Sequence, residues 1–470
     1  MPLDASLVEA LAAVLGPRGL LTDPGDLAPY NVEERGLYQG AATVVARPDS
    51  TAACAEVVRL CAQAGVTLVP QGGNTGLCGG AVASAGQVIL STGRMNKVRW
   101  IDPDGYRMAV DAGCVLADLQ RVAADVGCLF PLSLGAEGSC QIGGNLATNA
   151  GGVAVLRYGN TRDLCLGLEV VLPDGRIWDG MRALDKDNTG YALRQLFIGS
   201  EGTLGLITGA VLKLFPAPAA TATALCAIDD LPRVSRLLGL CRSLTGDDVT
   251  AFELIPRFGM EIAVAHLDGV RDPLESPHPW YALVELSTSR PGADLAAVME
   301  GLLERAFEEE VISDAAIAGS LDQRAGLWRL REGLPEAQKH VGGSIKHDVS
   351  VPVSKVPLFI ERASAAVSAA LPGIRPCPFG HVGDGNIHFN LTQPEGMDKA
   401  AYLDRWEEMN RLVHDIVADL GGSISAEHGV GRLKVGELHH YKSPLELELM
   451  ARVKKAFDPQ GVMNPGVVVD

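Results

Sequence analysis

Three glycine-rich segments crowd the first half of the chain: "PQGGNTGLCGG" (70–80), "PLSLGAEGSCQIGGNLATNAGG" (131–152) and "IGSEGTLG" (198–205). A turn needs one or two glycines. Five in the first segment (Gly72, Gly73, Gly76, Gly79, Gly80), around Asn74 and Thr75, point to backbone pressed close to a ligand. Successive N–H groups in such a loop form a concave anion site suited to a diphosphate. No Gly-Lys-Ser/Thr follows and no G-x-G-x-x-G is present, so neither a Walker A loop nor a Rossmann fingerprint accounts for it. The second segment offers Pro131, Gly135, Gly138, Ser139, Gly143, Gly144, Asn145, Thr148, Asn149, Gly151 and Gly152. Small residues there allow approach, and amides can read the polar edges of a flat, uncharged ligand. Gly199, Gly202 and Gly205 precede a long strand.

A chain of 470 residues exceeds one ordinary core, so two or three domains are expected. Hydrophobic residues at 47% and charged residues at 21% mark a globular protein. Net charge −17 argues against nucleic acid, which needs basic patches. Ten cysteines without a C-x-x-C pair argue against a disulfide scaffold, a cysteine-rich zinc site or an iron–sulfur cluster, and fit a reducing cytoplasm. No apolar run approaches ~18 residues, so no transmembrane helix is expected. The start "MPLDASLVEALAAVLG" reads as an amphipathic helix, not a signal peptide.

Along the chain, "ATVVARP" reads as a strand, the stretch after Ser50 or Thr51 as a capped helix, and "VTLVP" as a second strand, a βαβ-like unit. "VILST" and "RMAVDAGC" read as strands and "VLADLQRVAADVG" as a helix ending at Gly127. Residues 131–152 read as a loop, and 166–180 as a hairpin turning at Asp174-Gly175. The Pro-rich "FPAPAA" marks a domain boundary. Beyond it, longer helices (230–244, 292–310) alternate with strands such as "WYALVELST", an α+β pattern with an antiparallel sheet, and the pattern turns helical from about residue 400.

"GHVGDGNIHFN" (380–390) places two of the ten histidines seven positions apart. A turn at Gly383–Gly385 must fold His381 toward His388, and His388 and Asn390 share a face of the outgoing strand. Two imidazoles with one carboxylate make an open metal site. The candidate carboxylate is Glu427 in "SAEHGVG", beside His428. On the two histidines alone, a turn that happens to carry imidazoles is the stronger reading, with Asp384 as a turn residue.

"PQGGNTGLCGGA", "GSCQIGGNLATNAGG", "KDNTGYALRQLFIGSEGTLGLIT", "GHVGDGNIHFN" and "SAEHGVG" together resemble the flavin-dependent oxidoreductases of the vanillyl-alcohol oxidase / p-cresol methylhydroxylase superfamily. Within it they resemble the branch that oxidises D-2-hydroxy acids. The resemblance runs from about residue 30 to 466, in the branch's order. "FPLSLGAEGS", "LRYGNTRDLCLGLEVVLPDG" and "HPWYALVELSTS" are most similar to the D-2-hydroxyglutarate dehydrogenases.

The resemblance implies an α+β chain. A two-part FAD-binding domain of the p-cresol methylhydroxylase type spans 1–218. An α+β substrate (cap) domain with an antiparallel sheet spans 219–420, and a C-terminal segment, 421–470, returns to complete the flavin site. FAD is expected to be non-covalent, with Cys78 a buried filler. The glycine segments, Ile207 and Asn464 are expected to contact the cofactor. His381, His388 and Glu427 are the implied ligands of a divalent metal, zinc first, with manganese, iron or cobalt also suited. His428 is the implied general base, Arg331 and Lys346 pair with substrate carboxylates, and Asn390 contacts substrate. Members of the branch carry threonine where this chain has Pro335. The implied activity is oxidation of D-2-hydroxyglutarate to 2-oxoglutarate with hydride transfer to FAD, the metal activating the hydroxyl. D-Lactate, D-malate and a glycolate-oxidase-type FAD subunit are the alternatives inside the family. A non-redox metal-dependent hydrolase is the alternative outside it. Electrons are expected to leave to an external acceptor, an electron-transfer flavoprotein or a quinone, and a homodimer is among the expected assemblies.

Overall fold

The computed structural model describes residues 3–469. They form two compact units. The first holds residues up to Gly151, Gly159–Ala217 and Glu427 onward; the second holds Gly152–Tyr158 and Pro218–Ala426. The chain thus leaves the first unit within "FPAPAA" and returns to it at Glu427, six residues after the expected position. One excursion, Gly152–Tyr158, belongs to the second unit.

The first unit contains two main sheets and a short antiparallel pair, Cys128–Leu129 with Phe215–Pro216. Strands β1 (Leu20–Leu21), β2 (Val45–Ala46), β3 (Leu68–Gln71) and β4 (Val88–Ser91) form one sheet in the order β1-β2-β4-β3. β2, β4 and β3 are parallel, with β1 antiparallel at the edge. The crossover from β2 to β3 is the helix Thr51–Gln63. Ser50 caps it by accepting from the Ala53 N–H. Cys54, Val57, Val58 and Cys61, at helical spacing, are buried in the sheet's core. The second sheet is antiparallel: β5 (Val98–Asp102), β6 (Arg107–Asp111), β7 (Cys165–Val171), β8 (Ile177–Gly180) and β9 (Leu206–Lys213), in the order β5-β6-β9-β7-β8. The hairpin β7–β8 turns at Asp174-Gly175, where Gly175 has φ +83°. The C-terminal segment is part of this unit. Leu68 N–H donates to Val462 O and Asn464 N–H to Leu68 O, each at 2.8 Å, and Val462 and Met463 are buried beside Leu68.

The second unit is built on one eight-stranded antiparallel sheet. Its strands are β10 (Ala220–Ile228), β11 (Val249–Pro256), β12 (Trp280–Thr288), β13 (Asp314–Ile317), β14 (Ser344–Ile345), β15 (Asp348–Ser350), β16 (Arg375–His381) and β17 (Asn386–Thr392). The order is β13-β10-β12-β11-β16-β17-β14, and β15 also pairs with β17. Helices Leu231–Thr245 and Leu295–Glu308 lie where the sequence pattern put them. On one side of the sheet, Leu327, Leu330 and Leu334 pack with Leu225, Ile255, Leu283 and Phe379. This brings the helix Leu321–Glu332 over β11 and β16, and it carries Arg331 to that face.

One expectation fails. The stretch 131–152 is not a continuous loop, because Ile142–Thr148 is an α-helix ended by Asn149 at φ +52°. Its two glycines hide the helical signal. Gly143 is there for packing, since a Cβ would lie 2.7 Å from the Ala112 Cβ.

Candidate functional site

In the first unit, β3 runs straight into the first glycine segment. Among the described residues, none accepts a hydrogen bond from the backbone N–H of Gly72, Gly73, Asn74, Thr75 or Gly76. Asn74 takes φ +56°, which lets successive N–H groups turn toward a common point. The loop is held from behind, because the Asn74 amide donates to Val32 O at 2.7 Å. A run of unspent donors on a braced loop fits a diphosphate. A side chain at Gly76, Gly135, Gly138 or Gly144 would start with no neighbour within 4 Å, so these backbones leave room for a flat ligand. Several other glycines have reasons inside the chain. A Cβ at Gly73 would sit 2.1 Å from Ser139 O, one at Gly79 2.7 Å from the Tyr38 ring, and one at Gly202 2.8 Å from Pro70. Gly205, at φ +156°, abuts Val170.

The predicted polar contacts divide in the same way. Thr148 Oγ1 donates to Gly144 O, Asn149 Oδ1 accepts from Arg162 N–H, and Ser139 Oγ reaches Ala136 O, so these three side chains serve the helix end and its approach. Pro131 and Ile207 are buried. Asn145 is buried with Oδ1 unpaired. Asn464 spends both amide hydrogens, on Gly80 O at 2.9 Å and Glu201 O at 2.8 Å, and keeps a buried Oδ1 without a partner. What Asn464 retains for a cofactor is an acceptor, the complement of a ring N–H. An open cavity of about 1190 Å³ in this unit is lined by another set, including Arg18, Arg47 and Arg94, and shares no residue with the glycine segments.

Glu201 is a residue the sequence did not single out. Its carboxylate accepts from Val430 N–H at 2.7 Å and Gly431 N–H at 2.8 Å. Burial pushes its pKa up while these N–H groups pull it down. Cys78 is buried, and its Sγ lies 3.5 Å from Gly429 O. The loop just after His428 is therefore pinned to the first glycine segment and to Glu201.

In the second unit the sheet assembles the charged cluster. β16 and β17 pair antiparallel and are joined by the turn Val382–Gly385. Gly385 has φ +88°, and a Cβ there would be 2.1 Å from Val351 O, so the turn closes only with glycine. It brings the His381 and His388 rings to 5.6 Å between centroids, with a ligand nitrogen from each within 4.8 Å of the other. Cys377 pairs with Asn390 and Phe379 with His388, so alternation puts His381, His388 and Asn390 on one face. Lys346 lies between Ile345, which pairs with Leu391, and Asp348, which pairs with His388. Asn390 Nδ2 donates to Gln338 Oε1 at 2.7 Å, both buried. Pro335 occupies the first turn of the short helix Leu334–Ala337. Ala426 N–H donates to Asp348 O at 3.2 Å. Glu427 is the next residue, the first of the returning chain, and His428 follows it.

The residue missed by sequence reasoning is Glu253, on the central strand β11. It pairs in register with His381. Its side chain is 1% exposed. His381 Nδ1 lies 2.6 Å from Oε1, and Arg331 Nε donates to Oε2 at 2.7 Å. A carboxylate only accepts, so the His381 proton at this contact is on Nδ1. Arg331, itself buried, also lies over the Phe379 ring at 5.0 Å. Burial alone would raise the Glu253 pKa; pairing with His381 and Arg331 outweighs it and holds it at about 2. Beside His388, Asp348 Oδ1 lies 3.9 Å from Nδ1.

Asp384 closes the turn, with Oδ1 accepting from Asn386 N–H at 3.0 Å. Burial pushes its pKa up to about 6, against the pull of His381. The folded state thus holds this proton more tightly than the unfolded chain. The associated stability is fully present below the unfolded value near 3.8 and is lost as pH rises through about 6. In chelated protein, Asp384→Asn is expected to raise the unfolding free energy progressively between pH 4 and 7, by about 3 kcal/mol at the upper end. A pH-independent difference would contradict the assignment.

Comparison with known proteins fits this geometry. The first unit's two-sheet arrangement and the large antiparallel sheet of the second match the fold of p-cresol methylhydroxylase with substrate bound, at TM-score 0.73 and 16% identity over 99% of this chain and 96% of that one. The FAD binding domain family matches residues 42–180, and the FAD linked oxidases, C-terminal domain family matches residues 217–468. The chain belongs to the FAD-linked oxidases. It is similar to the D-2-hydroxyglutarate dehydrogenase of Stutzerimonas stutzeri, 36% identical over 99% of each chain. It is also 36% identical to the mitochondrial D-2-hydroxyglutarate dehydrogenase of Arabidopsis thaliana, over 98% of this chain and 81% of that one.

Proposed function

We propose that this chain is an FAD-dependent dehydrogenase that oxidises D-2-hydroxyglutarate to 2-oxoglutarate. The observation that carries the reading is the likeness, along nearly the whole chain, to relatives named for that reaction. FAD, when bound, accepts the hydride from the substrate's C2. The residues proposed to hold it are the unspent N–H groups of 72–76, the open backbones of Gly135, Gly138 and Gly144, and the acceptor oxygens of Asn145 and Asn464.

His381, His388 and Glu427 are the proposed ligands of a divalent cation. Two imidazole nitrogens within 4.8 Å of each other support this, as does a carboxylate one residue beyond Ala426, whose N–H is bonded to Asp348. Zinc, manganese, iron and cobalt all suit such a donor set. Such an ion would lower the pKa of the substrate hydroxyl and fix its orientation. Arg331, with Nε spent on Glu253, presents the rest of its guanidinium to one substrate carboxylate, and Lys346 offers a second cation. Asn390, oriented by Gln338, contacts the substrate. His428 takes the hydroxyl proton, since an imidazole titrates near neutral pH. Electrons then pass to an external carrier, an electron-transfer flavoprotein or a quinone. The ten buried free cysteines support a reducing compartment such as the cytoplasm. Among the described residues, no helix is long and apolar enough to cross a membrane.

A second reading, D-lactate or D-malate, draws on Pro335, which removes the hydroxyl that the branch places near the substrate. Anaerobic mixing with D-2-hydroxyglutarate, D-lactate and D-malate, before and after chelation, separates them. D-2-Hydroxyglutarate is expected to bleach the flavin fastest, with chelation abolishing the effect. Faster bleaching by D-lactate would replace the substrate, and equal bleaching after chelation would remove the cation.

A further inference from the structure

The Glu253 carboxylate stands where neither burial nor packing favours it. All eight residues of β11 are buried, and Glu253 is the one among them that carries a charge. A charge so far from water persists only when it is paired and hydrogen-bonded. Glu253 is paired twice, and its two partners differ in kind. Oε1 meets His381, on the adjoining strand, in register. Oε2 meets Arg331, delivered by the helix Leu321–Glu332. One oxygen therefore serves a proposed metal ligand and the other a proposed substrate clamp.

We infer that Glu253 is a positioning residue that joins metal affinity to substrate-carboxylate recognition: its two oxygens lock the His381 tautomer and the Arg331 guanidinium at once. The inference rests on the proposed roles of His381 and Arg331. A histidine that ligates a metal does so through an unprotonated nitrogen, and an outer carboxylate on the other nitrogen fixes which one that is. Here the carboxylate is on Nδ1, so Nε2 is the ligating atom. The same carboxylate directs Arg331 through Nε, leaving the two Nη groups as a fork for a substrate carboxylate. Arg331 cannot swing away without leaving Glu253 half-paired, and His381 cannot turn over without facing Oε1 with the wrong atom. The two functions share one support.

Glutamine at this position separates the functions from the fold. It keeps the shape but offers one acceptor oxygen and one donating amide. Whichever way it is placed, one of Arg331 Nε–H and His381 Nδ1–H meets a donor. Arg331 cannot give up its proton, so the histidine changes tautomer and carries its proton on Nε2.

The test uses the full-length flavoenzyme, stripped with chelator and titrated with zinc alone, in wild type, Glu253→Gln, Glu253→Asp and His388→Ala. The expected result for Glu253→Gln is an unchanged flavin spectrum, a 10- to 100-fold loss of zinc affinity and a raised KM for D-2-hydroxyglutarate. Glu253→Asp is expected to recover part of both. Unchanged zinc affinity in Glu253→Gln, with wild type binding zinc and His388→Ala losing it, overturns the role of Glu253 and leaves the metal site standing. A wild type that binds no zinc overturns the metal reading itself, and the inference with it. If Glu253→Gln fails to retain flavin, ¹⁵N NMR of histidine-labelled, zinc-loaded wild type decides. A proton on Nδ1 of His381 is expected, and one on Nε2 overturns the inference.

Discussion

His388→Ala is expected to lower the rate of flavin reduction by D-2-hydroxyglutarate by about 10³-fold or more while leaving FAD bound. The rate follows from the cation's proposed work. Stabilising a developing alkoxide contributes several kcal/mol, and each 1.36 kcal/mol is tenfold in rate. Retention of FAD follows from the fold. Apart from Gly152, the glycine segments lie in the first unit, and His388 is on β17 of the second. The side chain is 17% exposed, so truncation leaves a shallow gap and not a core cavity. Absorbance at the flavin band and metal content of the purified variant check both halves. Full turnover in a metal-free variant would remove the cation from the mechanism.

The second large effect is on stability. Arg331→Met is expected to cost about 3 kcal/mol, because it leaves Glu253 buried with half its partners. The effect has a pH sign. Glu253 is held at about 2, below its ordinary value of 4.5. Its contribution is therefore present above about 4.5 and is lost as pH falls through about 2. The cost of Arg331→Met should appear in full at neutral pH and shrink on acidification. The double variant Arg331→Met/Glu253→Met should regain part of the stability and none of the activity, since well-packed apolar groups replace a buried pair at little cost. Urea unfolding of wild type, the single variant and the double variant measures this. A single variant as stable as wild type would show that the pair is not an essential support of this face.

Local features of this fold were legible because local residues decide them. Ser50 caps its helix, Asp174-Gly175 turns its hairpin and Gly385 closes the histidine turn, each with chemistry confined to a few positions. The helix Ile142–Thr148 was not legible, since two glycines lower its propensity and packing of Gly143 against Ala112 stabilises it. The glycine segments were read for a single reason, and the structure divides them. Gly73, Gly79 and Gly202 are required by neighbouring chain, and the N–H groups of 72–76 are what a cofactor can use.

The site shows the same division. His381 and His388 are close in sequence and could be paired from spacing. Glu253 is 128 positions from His381, and only the sheet order β11-β16 brings them together. One signal was available: a lone glutamate inside the apolar run "TAFELIP" must be paired if the strand is central. Nothing local names its partner. Asn464 shows the converse, a residue expected at the cofactor whose amide hydrogens are spent on Gly80 and Glu201.

The proposed reaction moves hydride from C2 of D-2-hydroxyglutarate to FAD. Anaerobic stopped-flow absorbance can follow it, comparing D-2-hydroxyglutarate, its C2-deuterated form and the L-enantiomer on the metal-loaded enzyme. Rapid bleaching is expected with the D-acid, slower bleaching when C2 carries deuterium and none with the L-acid. Absence of bleaching with the D-acid, or equal bleaching with both enantiomers, would contradict it.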